Sequence, residues 1–188
     1  MGKYQVIVCD PPWQYDFSKS KNRKVENHYS TMSLDAIQAL SIGLLADSAG
    51  CVLYLWSTSP KLPQALATMA AWGFEYKTCA VWDKQRMGMG YYFRQEHELL
   101  LIGTYGNRAV LADPALRVGS LLTPTTFLIA SPRTRHSAKP DLTFAVLNQM
   151  YPTQRKLELF ARTQRPGWDC WGDEVASSIE MPSASATY

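Results

Sequence analysis

Apolar positions along the chain gather into short runs separated by polar stretches. Residues 4–9, 51–56, 74–82, 97–103, 126–130 and 155–160 are dense in Val, Ile, Leu, Phe and Tyr and suit buried strands. Between them the spacing changes to that of a helix. Leu34, Ile37, Leu40, Leu44 and Leu45 recur on one face after Ser33, a good N-cap, and Gly50 follows as a stop. Further helices are expected over residues 60–72, ending at Gly73, and over residues 140–150. Strands that alternate with helices and have continuous apolar interiors predict an α/β fold with a mostly parallel central sheet flanked by helices.

In such sheets ligands bind beyond the carboxyl ends of the strands. The segments 10–13, 83–95, 131–138 and 161–175 each follow or flank an expected strand, so they are expected to converge on one edge. Residues 14–32 read as a long polar, basic and aromatic loop, and residues 104–125 as a connection broken by Gly and Pro. The length of 188 residues suits one domain, expected over 1–176. Residues 177–188 are small and polar and are expected to form a disordered tail.

Charge and cysteine content narrow the classes. A net charge of +3 is far from that of a strongly cationic nucleic-acid module, but basic residues cluster at Lys19, Lys21, Arg23 and Lys24 and at Arg133 and Arg135. Both clusters fall in loops near the expected site, where they could meet phosphates. Cys9, Cys51, Cys79 and Cys170 are widely spaced, and no Cys/His pattern fits a metal site. Reduced thiols, no signal peptide and no apolar run long enough for a bilayer lead us to expect a soluble cytoplasmic protein without a metal.

The chemistry starts where the first strand ends, at Asp10-Pro11-Pro12-Trp13. Two prolines fix φ and donate no hydrogen bonds, so their carbonyls point in set directions. Beside them stand one carboxylate and one large ring, a combination suited to a planar group with an exocyclic amine. Glu158, near the end of another strand, is placed to hold ribose hydroxyls. No Gly-rich phosphate loop, nucleophile elbow or Cys/His pair is present. The residues alone therefore point to a nucleoside-containing cofactor and an amine-bearing planar substrate.

Asp10-Pro11-Pro12-Trp13, His28-Tyr29-Ser30-Thr31-Met32, Glu96-His97-Glu98-Leu99-Leu100, His136-Ser137-Ala138-Lys139-Pro140 and Leu157-Glu158-Leu159-Phe160-Ala161-Arg162 occur in that order, before Arg165-Pro166-Gly167-Trp168-Asp169 and Trp171-Gly172-Asp173-Glu174. Together they resemble the N(6)-adenine methyltransferase family typified by the seventy-kilodalton subunit of the eukaryotic mRNA adenosine methyltransferase, over residues 4–174. The resemblance implies a Rossmann-like fold, S-adenosylmethionine as cofactor and a permuted motif order with the catalytic strand first. It implies that Asp10 and the Pro11 carbonyl orient an adenine amine, with Pro12 and Trp13 completing the motif and Trp13 stacking on the base. On the cofactor side it implies Cys9, Asp10, Ser137, Lys139 (at the methionine carboxylate), Glu158, Leu159, Phe160, Arg162, Gln164, Asp173 and Glu174. On the substrate side it implies Trp13, Tyr29, Lys84, Arg86, Glu96, Arg133 and Arg135, with the 14–32 and 131–138 loops as gates. Asp173 stands where relatives often carry Asn, and Ala138 replaces a residue that is basic in bacterial relatives.

The implied function is N(6)-methylation of adenine in DNA, with RNA methylation as one alternative and a non-catalytic nucleic-acid-binding subunit as another. A homodimer or a partner subunit, and a bacterial or phage-infected cell as the setting, complete the expectation. Simpler roles stand beside these. Glu158 could face solvent, Lys139-Pro140 could merely start a helix, and Trp82, Trp168 and Trp171 could be packing residues.

Overall fold

The computed structural model describes residues 3–15, 31–88, 90, 92–107, 110, 112, 114–122 and 139–182. Among them, seven strands form one sheet: β1 (Val6–Cys9), β2 (Cys51–Ser57), β3 (Glu75–Asp83), β4 (His97–Tyr105), β5 (Leu121–Leu122), β6 (Lys156–Leu159) and β7 (Asp169–Trp171). Their spatial order is β5-β3-β4-β2-β1-β6-β7. β1 lies parallel to both neighbours, with Val6 opposite Val52 and Lys156, and Cys9 opposite Leu55 and Leu159. β4 runs antiparallel to β2 and β3, while the β3–β5 and β6–β7 pairs are parallel. The sheet is thus mostly parallel, with β4 the reversed strand.

Alternation along the strands sorts their side chains onto two covered faces. Ile7, Cys9, Leu53, Leu55, Leu157 and Leu159 join Ile37 of α1 (Leu34–Gln38) and Ala65 and Met69 of α2 (Leu62–Ala71) in one core. Val6, Val8, Val52, Tyr54 and Trp56 join Phe144 and Leu147 of α3 (Asp141–Met150) in the other. The result is a three-layer α/β/α arrangement. From β1 the chain moves first to β2 on one side and later to β6 on the other. The order therefore reverses at β1, and a crevice opens at its carboxyl end.

Several expectations change. The helix read over 33–49 stops at Gln38 and is followed by a single 3-10 turn, Ile42–Leu44. Ser33 caps its start, accepting from the Ala36 N–H at 3.2 Å, but at its end the Trp72 indole donates to the Ile37 carbonyl at 3.0 Å. The same carbonyl accepts from the Leu40 N–H at 3.2 Å, so the chain closes there in a tighter i→i+3 turn instead of continuing as a helix. β5 lies inside the stretch read as an irregular connection, and β7 inside the segment read as a loop. The strand expected over 126–130 lies outside the described residues.

The expected boundary before residue 177 is also too early. Ser178 Oγ accepts from the Cys170 N–H at 2.7 Å, Ser177 Oγ accepts from the Gly172 N–H at 3.1 Å, and Ile179 and Met181 pack against the core. No helix among the described residues is long and apolar enough to cross a membrane.

Candidate active site

β1 delivers Asp10-Pro11-Pro12-Trp13 to the crevice, and backbone bonds clamp it there. The Pro11 carbonyl accepts from the Trp13 N–H at 2.8 Å, and the Pro12 carbonyl accepts from the Met32 N–H at 3.0 Å. The Trp13 indole donates to the Trp56 carbonyl on β2 at 3.1 Å, and the side chain is buried. Trp13 is therefore a wall of the site, anchored by its ring nitrogen, rather than a freely exposed plate. Pro11 keeps one carbonyl lone pair for a ligand, because each carbonyl oxygen has two.

Asp10, Pro11, Pro12, Trp13, Tyr15, Ser57, Thr58, Glu98, Lys139 and Arg162 line a cleft of about 410 Å³, counted to its open mouth. Across it runs a chain of alternating charges. Lys139 Nζ lies 2.8 Å from Asp10 Oδ2 and 3.2 Å from Glu98 Oε2, and Lys84 Nζ lies 3.3 Å from Glu98 Oε1. The Lys139 ammonium also sits over the Trp56 ring, 5.8 Å from its centroid.

These contacts decide the protonation states. Burial alone would push Glu98 up, but Lys139 and Lys84 outweigh it and hold the carboxyl below its ordinary value. Burial likewise opposes the Lys139 charge, and Asp10 and Glu98 outweigh it, holding the ammonium above its ordinary value. Asp10 goes the other way. Burial pushes it up, Glu98 adds to the push, and Lys139 offsets only part. Cys9, just before it, is raised well above an ordinary thiol by burial and then by the Asp10 charge, so it is not a nucleophile.

The end of β6 lies alongside, since Val8 pairs with Glu158 and Cys9 with Leu159. Glu158 Oε2 accepts from Arg165 Nε at 3.0 Å, and Arg165 Nη1 reaches Asp141 Oδ1 at 2.6 Å. The guanidinium also covers the Phe144 ring, its Cζ 4.0 Å from the centroid. Burial pushes the Glu158 carboxyl up to about 7 despite Arg165, with the Asp10 and Asp141 charges adding to the rise. Phe160 follows at φ +58, a left-handed conformation costing of order 1 kcal/mol or more for a side chain of this kind. Its ring packs edge-on against Trp171 with centroids 5.2 Å apart. Gly172 makes that turn tight, because a Cβ there would fall 2.3 Å from the Ala161 carbonyl oxygen.

The remaining expected residues are spread more widely. Arg162 lines the cleft, and its Nε lies 3.5 Å from Glu174 Oε1. The Gln164 amide donates to the Ala176 carbonyl at 3.0 Å. Leu159 is buried in the core, and Asp173 and Glu174 are exposed on the turn after β7. Lys139 meets two protein carboxylates as well as the open cleft. Lys84 belongs to the charge chain, whereas Arg86 and Glu96 are exposed on the β3–β4 hairpin and do not line the cleft. Tyr29, Arg133, Arg135 and Ser137 lie outside the described residues.

Sequence reasoning missed Glu98, Tyr15, Ser57 and Thr58. Alternation puts Glu98 on the same side of β4 as Leu100, near the strand's start, but only the reversal of β4, which the residue pattern does not carry, brings that start to the carboxyl edge. Trp82 packs edge-on against Trp56 at 5.9 Å, and Trp168 is buried with its indole on Asn148 Oδ1 at 3.0 Å, so both serve the core. Among the described residues no group of three or more His, Cys, Asp or Glu side chains is arranged to hold a metal ion.

A family model described as MT-A70 matches residues 4–174. The type II methyltransferase M.MunI of a Mycoplasma species is 34% identical over 206 residues, covering 96% of this chain and 82% of that protein. The human N(6)-adenine-specific methyltransferase METTL4 is 33% identical over 184 residues, covering 92% of this chain and 37% of its own length. The zebrafish N(6)-adenosine-methyltransferase subunit METTL3 is 26% identical over 190 residues, with 93% and 28% covered. The chain thus spans most of the first relative but well under half of the other two.

Proposed function

The chain belongs to the MT-A70 family, whose members have a Rossmann-like methyltransferase fold, and from that premise we propose that it methylates the exocyclic nitrogen of adenine in DNA. The observation that carries this reading is the clamped Asp10-Pro11-Pro12-Trp13 segment at the point where the sheet order reverses. The names of the relatives, N(6)-adenine- and N(6)-adenosine-methyltransferase, point to adenine as the base.

S-adenosylmethionine, when bound, supplies the methyl group on its sulfonium. The residues present fit it: two acids at adjacent strand ends, Asp10 and Glu158, an Arg162 side chain in the cleft, and a turn after Phe160 already held in a costly conformation. Glu158 would accept from ribose hydroxyls, with Arg165 keeping its carboxylate in place. Arg162 and the turn at residues 173–174 would flank the adenosine.

On the substrate side the Asp10 carboxylate and the free lone pair of the Pro11 carbonyl would accept the two amine N–H bonds. This aims the nitrogen lone pair along the transfer direction. Trp13 forms the wall against which the base lies. Orientation and electrostatics are sufficient for a step of this kind. The extra amine proton would leave to water by way of the Asp10 carboxylate, which already holds the amine in place. Throughout, Lys139 neutralises Asp10 from the side and keeps its second contact with Glu98.

Incubation with labelled S-adenosylmethionine and matched DNA and RNA oligomers, followed by nucleoside mass analysis, tests the proposal. N(6)-methyladenine in DNA is the expected product. Relatives named as adenosine methyltransferases favour RNA as the second reading, and methylation of RNA alone would select it. No N(6)-methyladenine in either, with cofactor binding demonstrated, would overturn both.

A further inference from the structure

Above Lys84 and Glu96 the β3–β4 hairpin rises from the sheet and turns apolar side chains to solvent. Tyr92 is fully exposed, Phe93 is 83% exposed and Met87 is 61% exposed. The loop beneath them is closed. The Lys84 N–H meets the Glu96 carbonyl at 2.8 Å, the Gly88 N–H meets the Gln95 carbonyl at 2.9 Å, and the Arg94 side chain donates to the Gly88 carbonyl. A Cβ on Gly90 would fall 2.3 Å from the Phe93 carbonyl oxygen, so no larger residue fits there. Tyr92 itself sits at φ +58, a conformation aromatic residues rarely adopt. The hairpin is therefore built to hold two neighbouring rings away from the core.

Its charge indicates what those rings meet. Lys84 is spent on Glu98 and the exposed Glu96 stands at the foot of the hairpin, but the crown itself, residues 85–95, carries Arg86 and Arg94, both exposed, and no carboxylate. A second copy of a chain with net charge +3 offers little to balance that cluster. A polyanion with flat apolar faces complements both the cations and the rings. Position adds a further link, because the hairpin base connects to the cleft through Lys84, Glu98, Lys139 and Asp10. An adenine inside a duplex cannot reach Asp10 until it leaves the stack, and side chains of this kind wedge between base steps in other DNA-bending proteins.

We propose that Tyr92 and Phe93 form a wedge that enters the base stack of duplex DNA beside the target adenine, with Arg86 and Arg94 on the flanking phosphates. The rings occupy the gap the adenine leaves as it turns into the cleft, and their stacking offsets the lost base–base contact. The inference rests on the reading of the cleft as an adenine methyltransferase site.

The test offers unmethylated genomic DNA to the full chain as duplex and as heat-denatured strands, with tritiated S-adenosylmethionine. In Y92A/F93A the duplex kcat/KM falls about tenfold or more, the denatured-strand value stays within about twofold, and Y92W/F93W restores the duplex rate. An equal loss on both forms, an unchanged duplex rate, failure of Y92W/F93W to restore it, or a wild type active on denatured strands alone overturns the wedge. So does sedimentation showing that Y92A/F93A converts a dimer to a monomer, which would assign the surface to a second copy. These results remove the wedge and leave the site reading standing. No transfer by the wild type to either form removes the DNA reading and the wedge with it, and the RNA oligomer of the labelled-methyl assay then decides whether the cleft is an adenine methyltransferase site.

Discussion

Replacing Glu98 with glutamine keeps the shape of the side chain and removes its charge. Lysine ammoniums approach its two oxygens at 3.2 and 3.3 Å, and the Glu98, Lys84 and Lys139 side chains are only 12–13% exposed. At such a separation the Coulomb attraction is about 5 kcal/mol per pair for an effective dielectric near 20. Desolvation cancels much of that, and removing one partner of a buried pair costs about 3–5 kcal/mol. The amide oxygen of the substituted side chain can still accept from one lysine, and Lys139 retains Asp10, so the expected loss is about 2–3 kcal/mol. In a chain of this length that corresponds to a melting point lower by about 5–10 °C.

Urea unfolding of the two proteins, followed by tryptophan fluorescence across a pH series, measures the loss. The folded-state pKa of Glu98 lies below its ordinary 4.5. Its contribution is therefore complete above that value and disappears as the pH falls through the depressed folded pKa. The gap between wild type and E98Q should be full at neutral pH and close in acid. A neutral-pH loss under about 0.5 kcal/mol would mean that water, not Glu98, holds the two lysines. A gap that does not narrow in acid would mean that the loss is steric.

Asp10→Ala should abolish methyl transfer, a loss of at least about a hundredfold, while the fold survives; an active variant in the labelled-methyl assay would show that another group orients the amine. Glu158→Ala should weaken S-adenosylmethionine binding about tenfold or more by calorimetry, and unchanged affinity would remove Glu158 from the cofactor site. With Glu158 raised to about 7 in the folded chain, its ionisation opposes folding between the ordinary 4.5 and that value. Wild-type stability relative to Glu158→Gln should therefore fall by up to about 3 kcal/mol as pH rises through that window, and a difference constant with pH would refute the burial argument. Gly172→Ala should cost about 2 kcal/mol or more, because its new methyl group meets the Ala161 backbone; a wild-type melting curve would show that the turn has slack.

The strands whose runs were long and apolar were legible from sequence, with errors of one or two residues at their ends. Cys51–Ser57 is buried along its whole length, and no turn residue interrupts it. What periodicity does not carry is direction: residues 97–105 have the same pattern whichever way they run. The reversal of β4, and with it the arrival of Glu98 in the cleft, was therefore invisible. Glu96 attracted attention because it belongs to a recognisable motif, yet its backbone closes the hairpin and its side chain stays outside. β7 is three residues, Asp169–Trp171, too short for any pattern to register. The first helix was overestimated because it closes at Ile37, whose carbonyl accepts both from Leu40 in a tight turn and from the Trp72 indole, a partner remote in sequence. Asp10, Lys139 and Arg162 share one cleft, as their motifs implied, but the Glu98 bridge between two lysines depends on how the end of β3, the start of β4 and the segment before α3 meet.

The reversed strand also determines which insertions and deletions leave the cleft intact. The Lys84–Glu96 backbone bond closes the hairpin just above the ladder that pairs Asp83 with His97. A residue gained or lost above that closure alters the crown and leaves Glu98 in register. One gained or lost below it slips β4 against both neighbours and turns Glu98 to the other side of the sheet. The hairpin is thus a mount with an exchangeable tip. A change in its crown alters what the wedge meets, while the carboxylate at its foot stays fixed beside Lys139.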